Sequence, residues 1–218
     1  MKLAPAADVP PAWAERCELE WIGRGGQCRQ LVAWHGELAR SPGQRRATVL
    51  ANDGGVTRTI VGQSERSIPF AAQLDRYLFE PEPAVLAARL AGVVAAEHGL
   101  SKFSPGIAYL TGPAAIDDPA LACLEVEEVL PLKLKLLTEY LRQRGVGRLE
   151  IKKRGVEQDP EQLRRALKLA GDDAATLILA MLNRKRVAIV AKRIDRGEVA
   201  APPNPESRVL NPPHAACL

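Results

Sequence analysis

A mixed α/β chain is what the sequence predicts, with β-hairpins in its first third and strands interleaved with helices after it. Three observations carry the prediction. The stretch "CELEWIG" (Cys17 to Gly23) alternates, with Leu19 and Trp21 on one side and Glu18 and Glu20 on the other, which is the period of a strand. The stretch from Asp159 to Gly171 opens with an N-cap, Pro160 and Gln162 and then shows an apolar face at helical spacing. "ATLILAML" and "RVAIVAKRI" are apolar runs joined at Asn183-Arg184-Lys185, the pattern of central strands.

In chain order, "KLAP" (Lys2 to Pro5) ends a strand at Pro5, and Pro10-Pro11 start a short helix through Trp13. "QCRQLVAW" (Gln27 to Trp34) pairs with the Cys17 strand across Arg24-Gly25-Gly26, forming a hairpin. "RATVLA" and "VTRTIVG" flank Asn52-Asp53-Gly54-Gly55, a second hairpin signal. Gln63 to Ala72 has no periodicity and reads as a linker. "YLFEPEPAVLAARLAGVVAAEHG" reads as a helix carrying Val85, Leu86, Leu90, Val93 and Val94, closed by His98 and Gly99. "GIAYLTG" and "LACLEVEEVLP" are strands, the second stopped by Pro131. "LKLKLLTEYLRQRG" is an amphipathic helix with Leu132, Leu136, Leu137, Tyr140 and Leu141 inward, ended by Gly145. "GRLEIKKRG" is a strand taken to be buried on both faces. In the capped helix Leu163, Ala166, Leu167 and Ala170 face inward, and Arg164, Arg165 and Lys168 outward. From Gly197 to Leu218 the chain is Pro-rich and patternless, a disordered tail.

The 218 residues suffice for one large or two small domains. Hydrophobic content of 46% excludes a disordered chain, while 4% aromatics mean a core of Leu, Val, Ile and Ala. A net charge of +4 permits a polyanionic partner without requiring one. Cys17, Cys28, Cys123 and Cys217 are scattered, as in reduced thiols of a cytoplasmic protein. The N-terminus lacks the apolar core of a signal peptide, and no stretch is long and apolar enough to span a membrane.

No constellation reads as catalytic or metal-binding. His35, His98 and His214 have no ligand at suitable spacing, and His98 fits the end of a helix. Asp117-Asp118 before Pro119 fits a turn. "GRGG" (Gly23 to Gly26) lacks a third glycine and leads into a strand, so it fits a hairpin turn better than a dinucleotide loop. The basic residues remain. Lys152, Lys153 and Arg154 end a strand, Arg164, Arg165 and Lys168 line a helix, and Arg184, Lys185 and Arg186 form a hairpin tip, with Lys192 and Arg193 further along. An amphipathic helix needs a polar side in any case, but adjacent cations at a strand exit repel one another, and a polyanion would offset that. The absence of interleaved aromatics argues against a base-stacking platform.

"GRLEIKKRG", "DPEQLRR", "ATLIL" and "RVAIVAKR" make this region similar to the THUMP-like domain at the C-terminus of a group of bacterial class I S-adenosylmethionine-dependent methyltransferases. "RYLFEPEPAVLAA", "IAYLTG", "EVEEVLPLKLKLL", "KLAP" and "CELEWIGRGGQCRQLVAW" extend the resemblance to nearly the whole chain up to Ile194. The resemblance implies residues 1–72 as the last strands of a Rossmann-like methyltransferase sheet, 73–196 as a helix-covered THUMP-like α/β domain and 197–218 as the tail. In the family a methyltransferase core precedes these segments, with a Gly-rich cofactor loop and an Asp-Pro-rich motif that do not occur here. The chain alone is therefore expected to be inactive, with no catalytic or S-adenosylmethionine-binding residue of its own, the cofactor belonging to the parent family. The implied role is RNA docking, since such domains are associated with RNA and often with tRNA, through Lys152, Lys153, Arg154, Arg164, Arg165, Arg184, Lys185 and Arg186. A rival expectation is a structural module in which Glu125, Glu127 and Glu128 lie beside "EIKKR" and neutralise it across strands. A third is a methyltransferase core supplied by a separate chain. A missing sheet half further predicts exposed apolar surface on the first hairpin, at Leu19, Trp21, Ile22, Leu31, Val32 and Trp34.

Overall fold

The computed structural model describes residues 1–64, 66–182 and 184–195, so the expected tail lies outside the described residues. Two mixed sheets are present. The first contains β1 (Lys2–Leu3), β2 (Glu18–Arg24), β3 (Gln27–Trp34), β4 (Arg45–Leu50) and β5 (Val56–Gly62) in the order β1-β3-β2-β4-β5. β2 and β4 run parallel and the other neighbours antiparallel. Gly25 and Gly26 both hold positive φ at the β2–β3 turn, which a side chain would resist. α1 (Pro11–Arg16) joins β1 to β2.

The second sheet contains β6 (Tyr77–Pro81), β7 (Ser101–Lys102), β8 (Leu110–Gly112), β9 (Leu121–Pro131), β10 (Val146–Lys153), β11 (Asp173–Leu182) and β12 (Lys185–Arg193), ordered β10-β11-β12-β9-β6-β8-β7. β10 and β11 run parallel and the other pairs antiparallel. Between β6 and β7 lie α2 (Pro83–Ala87) and α3 (Ala91–Glu97), which the sequence had suggested as one helix. They are separated at Arg89, which sits in the left-handed region with φ of 57°, and the "YLFEP" segment before them is a strand.

Three cores organise the molecule. In the first, Leu19, Trp21 and Leu31 pack with Val85 of α2, Val94 of α3 and Leu90 between them, and with Phe79, Leu121 and Cys123 of the second sheet. The first hairpin therefore does not present an apolar face. Leu19, Trp21, Leu31 and Val32 are all buried, and Ile22 and Trp34 are half-buried. The cover comes from helices some 60 residues further along, which hairpin periodicity cannot reveal. The reverse side of that hairpin is polar, with Glu20 accepting hydrogen bonds from Trp34 Nε1 (2.7 Å) and Thr48 Oγ1 (2.5 Å).

The second and third cores lie on opposite faces of the second sheet. Leu78, Leu124, Ile178 and Ile189 share one face with Phe103, Ile107 and Tyr109 from the loop before β8. Leu177, Leu179, Ala188 and Val190 share the other with α4 (Leu134–Gln143) and α5 (Pro160–Leu167), through Leu137, Leu141, Leu163 and Leu167. Leu136 and Ala166, expected to face inward, are exposed on α4 and α5, which bury only a narrow stripe. Ala170, also expected inward, is exposed because α5 ends at Leu167, where Lys168 turns left-handed with φ of 45°. Asp159 caps α5 as expected, accepting from the backbone N–H of Glu161 (2.8 Å) and Gln162 (3.3 Å).

β10 begins at a tight backbone crossing. A Cβ on Gly147 would sit 1.6 Å from the Gly171 carbonyl oxygen, and one on Gly171 would sit 1.8 Å from that of Gly145. Only glycine fits at such a crossing, and it fixes where β10 enters alongside β11.

Candidate nucleic-acid interface

β10 is an edge strand, hydrogen-bonded only to β11, with exposure alternating along it. The expectation of a strand buried on both faces is thus corrected. Its neighbour is also not the acidic β9, which lies between β12 and β6, so Glu125, Glu127 and Glu128 do not flank "EIKKR". Of these, Glu125 pairs with Arg76 at 2.7 Å, while Glu127 lies 3.9 Å from Arg144.

The partner of the strand exit is Glu80, on β6. Lys152 Nζ pairs with Glu80 Oε2, and Arg154 Nη2 donates to Glu80 Oε1 at 2.8 Å. Lys152 also lies 3.4 Å from Glu150. In a flat sheet β10 and β6, four places apart, would be separated by about 19 Å, so the contact requires the sheet to curl over the second core. Register explains the geometry. Lys152 lies opposite Ile178 on β11, and Glu80 is two residues beyond Leu78, so both point to the face holding that core. The cluster closes its mouth. Arg154 also lies 5.4 Å from the centre of the Tyr109 ring, within cation–π range.

Electrostatics match this arrangement. Burial pushes the Glu80 carboxyl upward, but hydrogen bonding and charge from Lys152, reinforced by Tyr109 and Arg154, hold it below the ordinary carboxylate range. Burial, then the Glu80 charge, push the Tyr109 hydroxyl well above its usual value. That hydroxyl is buried beside Glu80 without reaching ordinary hydrogen-bond geometry. Sequence reasoning missed both residues. Reading "YLFEP" as a strand would have placed Glu80 on the face of Leu78 and exposed the pairing to inference.

The other expected contacts divide as follows. Lys153, Arg165, Arg184, Lys185 and Arg186 are exposed, and no ion pair involves their side chains among the described residues. Arg164 donates to Glu161 Oε1 (2.9 Å) and to the Leu149 carbonyl (3.2 Å), which draws α5 against the free edge of β10. β10 and β11 run parallel, with Lys153 level with Leu179. The strand exit and the Arg184–Arg186 tip therefore lie at the same end of the sheet. α5 starts near that end and carries its cations toward the opposite one, so the three groups do not form one patch.

Elsewhere, Asp118 accepts from the Ala120 N–H (2.8 Å), the expected turn, and lies 2.8 Å from His98 Nε2. Glu97, His98 and Asp118 bring ligand-type atoms within 4.8 Å of one another. The Arg58 guanidinium is placed among them, 3.4 Å from Asp118, and opposes a cation there. Cys17, Cys28 and Cys123 are free thiols. Among the described residues, no helix is long and apolar enough to cross a membrane.

Comparison with known proteins agrees with this fold. Residues 121–193, from β9 to the end of β12, match the family described as THUMP domain-like. The chain is 33% identical over 166 residues to two uncharacterized S-adenosylmethionine-dependent methyltransferases of Mycobacterium tuberculosis, from strains CDC 1551 / Oshkosh and H37Rv. The match covers 76% of this chain and 44% of each relative. A crystal structure from Porphyromonas gingivalis W83, provisionally named a methyltransferase, superposes with a TM-score of 0.73 at 22% identity, covering 89% of this chain and 50% of that one. The fold is thus of methyltransferase type, carrying a THUMP-like domain. Residues 121–193 match the THUMP-like family, and the chain is similar to bacterial S-adenosylmethionine-dependent methyltransferases, spanning about half the length of those it matches.

Proposed function

We propose that the chain is the RNA-docking portion of an S-adenosylmethionine-dependent methyltransferase, with residues 1–72 continuing the catalytic sheet and 73–196 forming the docking unit. The observation that carries the reading is the set of exposed cations at one end of the THUMP-like sheet, Lys153 with Arg184, Lys185 and Arg186, none paired with an acid among the described residues. Phosphate contacts of this kind give affinity that is independent of sequence and steeply dependent on salt. Lys152 and Arg154 leave the proposed contact set, because they are already engaged by Glu80, with Glu150 a second acid beside Lys152.

Donor binding belongs to residues outside this chain in this reading. In open α/β sheets, ligands bind at the carboxyl ends of the strands around the switch point, and the first sheet here supplies only its terminal strands. The methyltransferase core precedes these strands or comes from a separate chain. Free thiols fit work in the cytoplasm.

The test is RNA binding across a salt series, with and without Arg184→Ala, Lys185→Ala and Arg186→Ala together. Weaker binding and a flatter salt dependence are expected. Unchanged binding by a folded variant would refute docking through this end. A purely structural role is the second reading, favoured by the Glu80 cluster, and it predicts no RNA binding at all.

A further inference from the structure

We infer that a second phosphate site, for the backbone of the same RNA, lies at the opposite end of the sheet between Arg148 and Arg193. This rests on the RNA-docking reading and adds to it Arg148, which stands outside the basic groups of the sequence, joined to Arg193, which belongs to one of them. A cleft of about 500 Å³ there is lined by Arg148, Glu150, Ala174, Thr176 and Arg193, among others.

Register defines its geometry. Arg148 on β10 lies opposite Ala174 on β11. Thr176 lies opposite Ala191 on β12, and continuing that register by one pair sets Arg193 across from Ala174. The three residues form one row across three strands. Two strand spacings separate the arginine backbones by about 10 Å. Both side chains rise on the same face, because Arg193 is two residues beyond Ala191 of the second core, and Arg148 is four before Lys152.

Small side chains form the floor. Ala174 leaves the centre of the row open, and Thr176 brings a hydroxyl that makes no hydrogen bond among the described residues. Neither guanidinium has an ion pair or a side-chain hydrogen bond among the described residues, and both arginines are exposed. Glu150 is the one acid lining the cleft, and it lies 3.4 Å from Lys152. On the other side of Arg193, Glu82, Asp117 and Asp195 border a separate cleft. Two guanidiniums flanking a recess can converge on one phosphate from opposite sides, each presenting paired N–H donors. The Gly145, Gly147 and Gly171 crossing next to the site holds β10 and β11 in register, so the row is set before any ligand arrives. Arg164, bonded to the Leu149 carbonyl, brings a further cation to the same edge.

The experiment measures binding of a labelled single-stranded RNA oligomer and, separately, of polyglutamate to the full chain over a salt series. The variants are Arg148→Ala with Arg193→Ala, the charge-keeping Arg148→Lys with Arg193→Lys, and the Arg184 to Arg186 triple alanine. The double alanine variant is expected to bind RNA roughly tenfold more weakly. Its log–log salt slope should fall by about 0.7, the value for one phosphate on a single strand. The double lysine variant should recover most of the salt slope with only part of the affinity, since lysine cannot make the paired contact. Exposed positions leave the fold intact, and an unchanged melting temperature checks this. If the double alanine variant binds RNA like the parent while the tip variant weakens, the second site is overturned and RNA docking stands. If the parent binds no RNA, both fail. If the double variant loses polyglutamate but not RNA, the cleft takes an acidic protein segment and the inference is likewise overturned.

Discussion

The two ends of β10 carry similar cations and treat them in opposite ways. At its exit, Lys152 and Arg154 turn inward onto Glu80 and close a core. At its start, Arg148 stands exposed over a recess beside a glycine crossing. In sequence, the three clustered cations look like the binding site and the single one looks incidental. The structure pairs two of the three with an acid and leaves Lys153 exposed, as it leaves Arg148, because what decides whether a cation is free is the acid that reaches it. That acid lies 72 residues upstream of Lys152.

The comparison can be broken most forcefully at the start of β10. Gly147→Ala would place a methyl group inside the Gly171 carbonyl, and a loss on the order of 4 kcal/mol in urea unfolding is expected, near the upper limit for single substitutions. A loss under about 1 kcal/mol would mean the crossing relaxes easily and does not set the register. At the exit, Glu80→Gln removes the carboxylate shared by half-buried Lys152 and Arg154, leaving Glu150 as the one acid beside Lys152 and none on Arg154 among the described residues. Removing one member of a buried pair costs about 3 to 5 kcal/mol; with Glu80 still partly accessible, a loss of about 2 kcal/mol is expected.

Acid titration sharpens the same point. Because Glu80 is held below its ordinary value of 4.5, its contribution is complete above that pH. It is lost as the pH falls through the lowered folded value. Equilibrium unfolding of parent and Glu80→Gln should therefore differ most near neutrality and converge under acid. Parallel curves down to the lowest pH would show that the cluster does not depend on ionised Glu80. The smallest effect belongs to the helix that brings Arg164 to the β10 edge. Asp159→Ala removes its cap and should cost about 1 kcal/mol in thermal or urea unfolding.

Much of this fold was legible wherever a pattern is local. The first hairpin, the Asn52–Gly55 turn, the β9 strand stopped at Pro131 and the Asp159 cap all follow from neighbours a few residues apart. The reading failed where distant segments decide. The cover of Leu19 and Trp21 comes from α2 and α3. The edge position of β10 depends on strand order, which periodicity does not encode. "YLFEP" begins a region that reads as helical throughout, yet Arg89 adopts a left-handed conformation and splits it, and the first five residues pair with β9 instead. That one misreading concealed Glu80, and with it the role of the two strand-exit cations.

The most direct test of this division is the salt dependence of RNA binding for Lys152→Met against the parent chain. A cation already neutralised by Glu80 contributes no counterion release, so the two slopes should coincide even if the variant is less stable. A slope flatter by about 0.7 for Lys152→Met would show that Lys152 reaches phosphate, contradicting its assignment to the core.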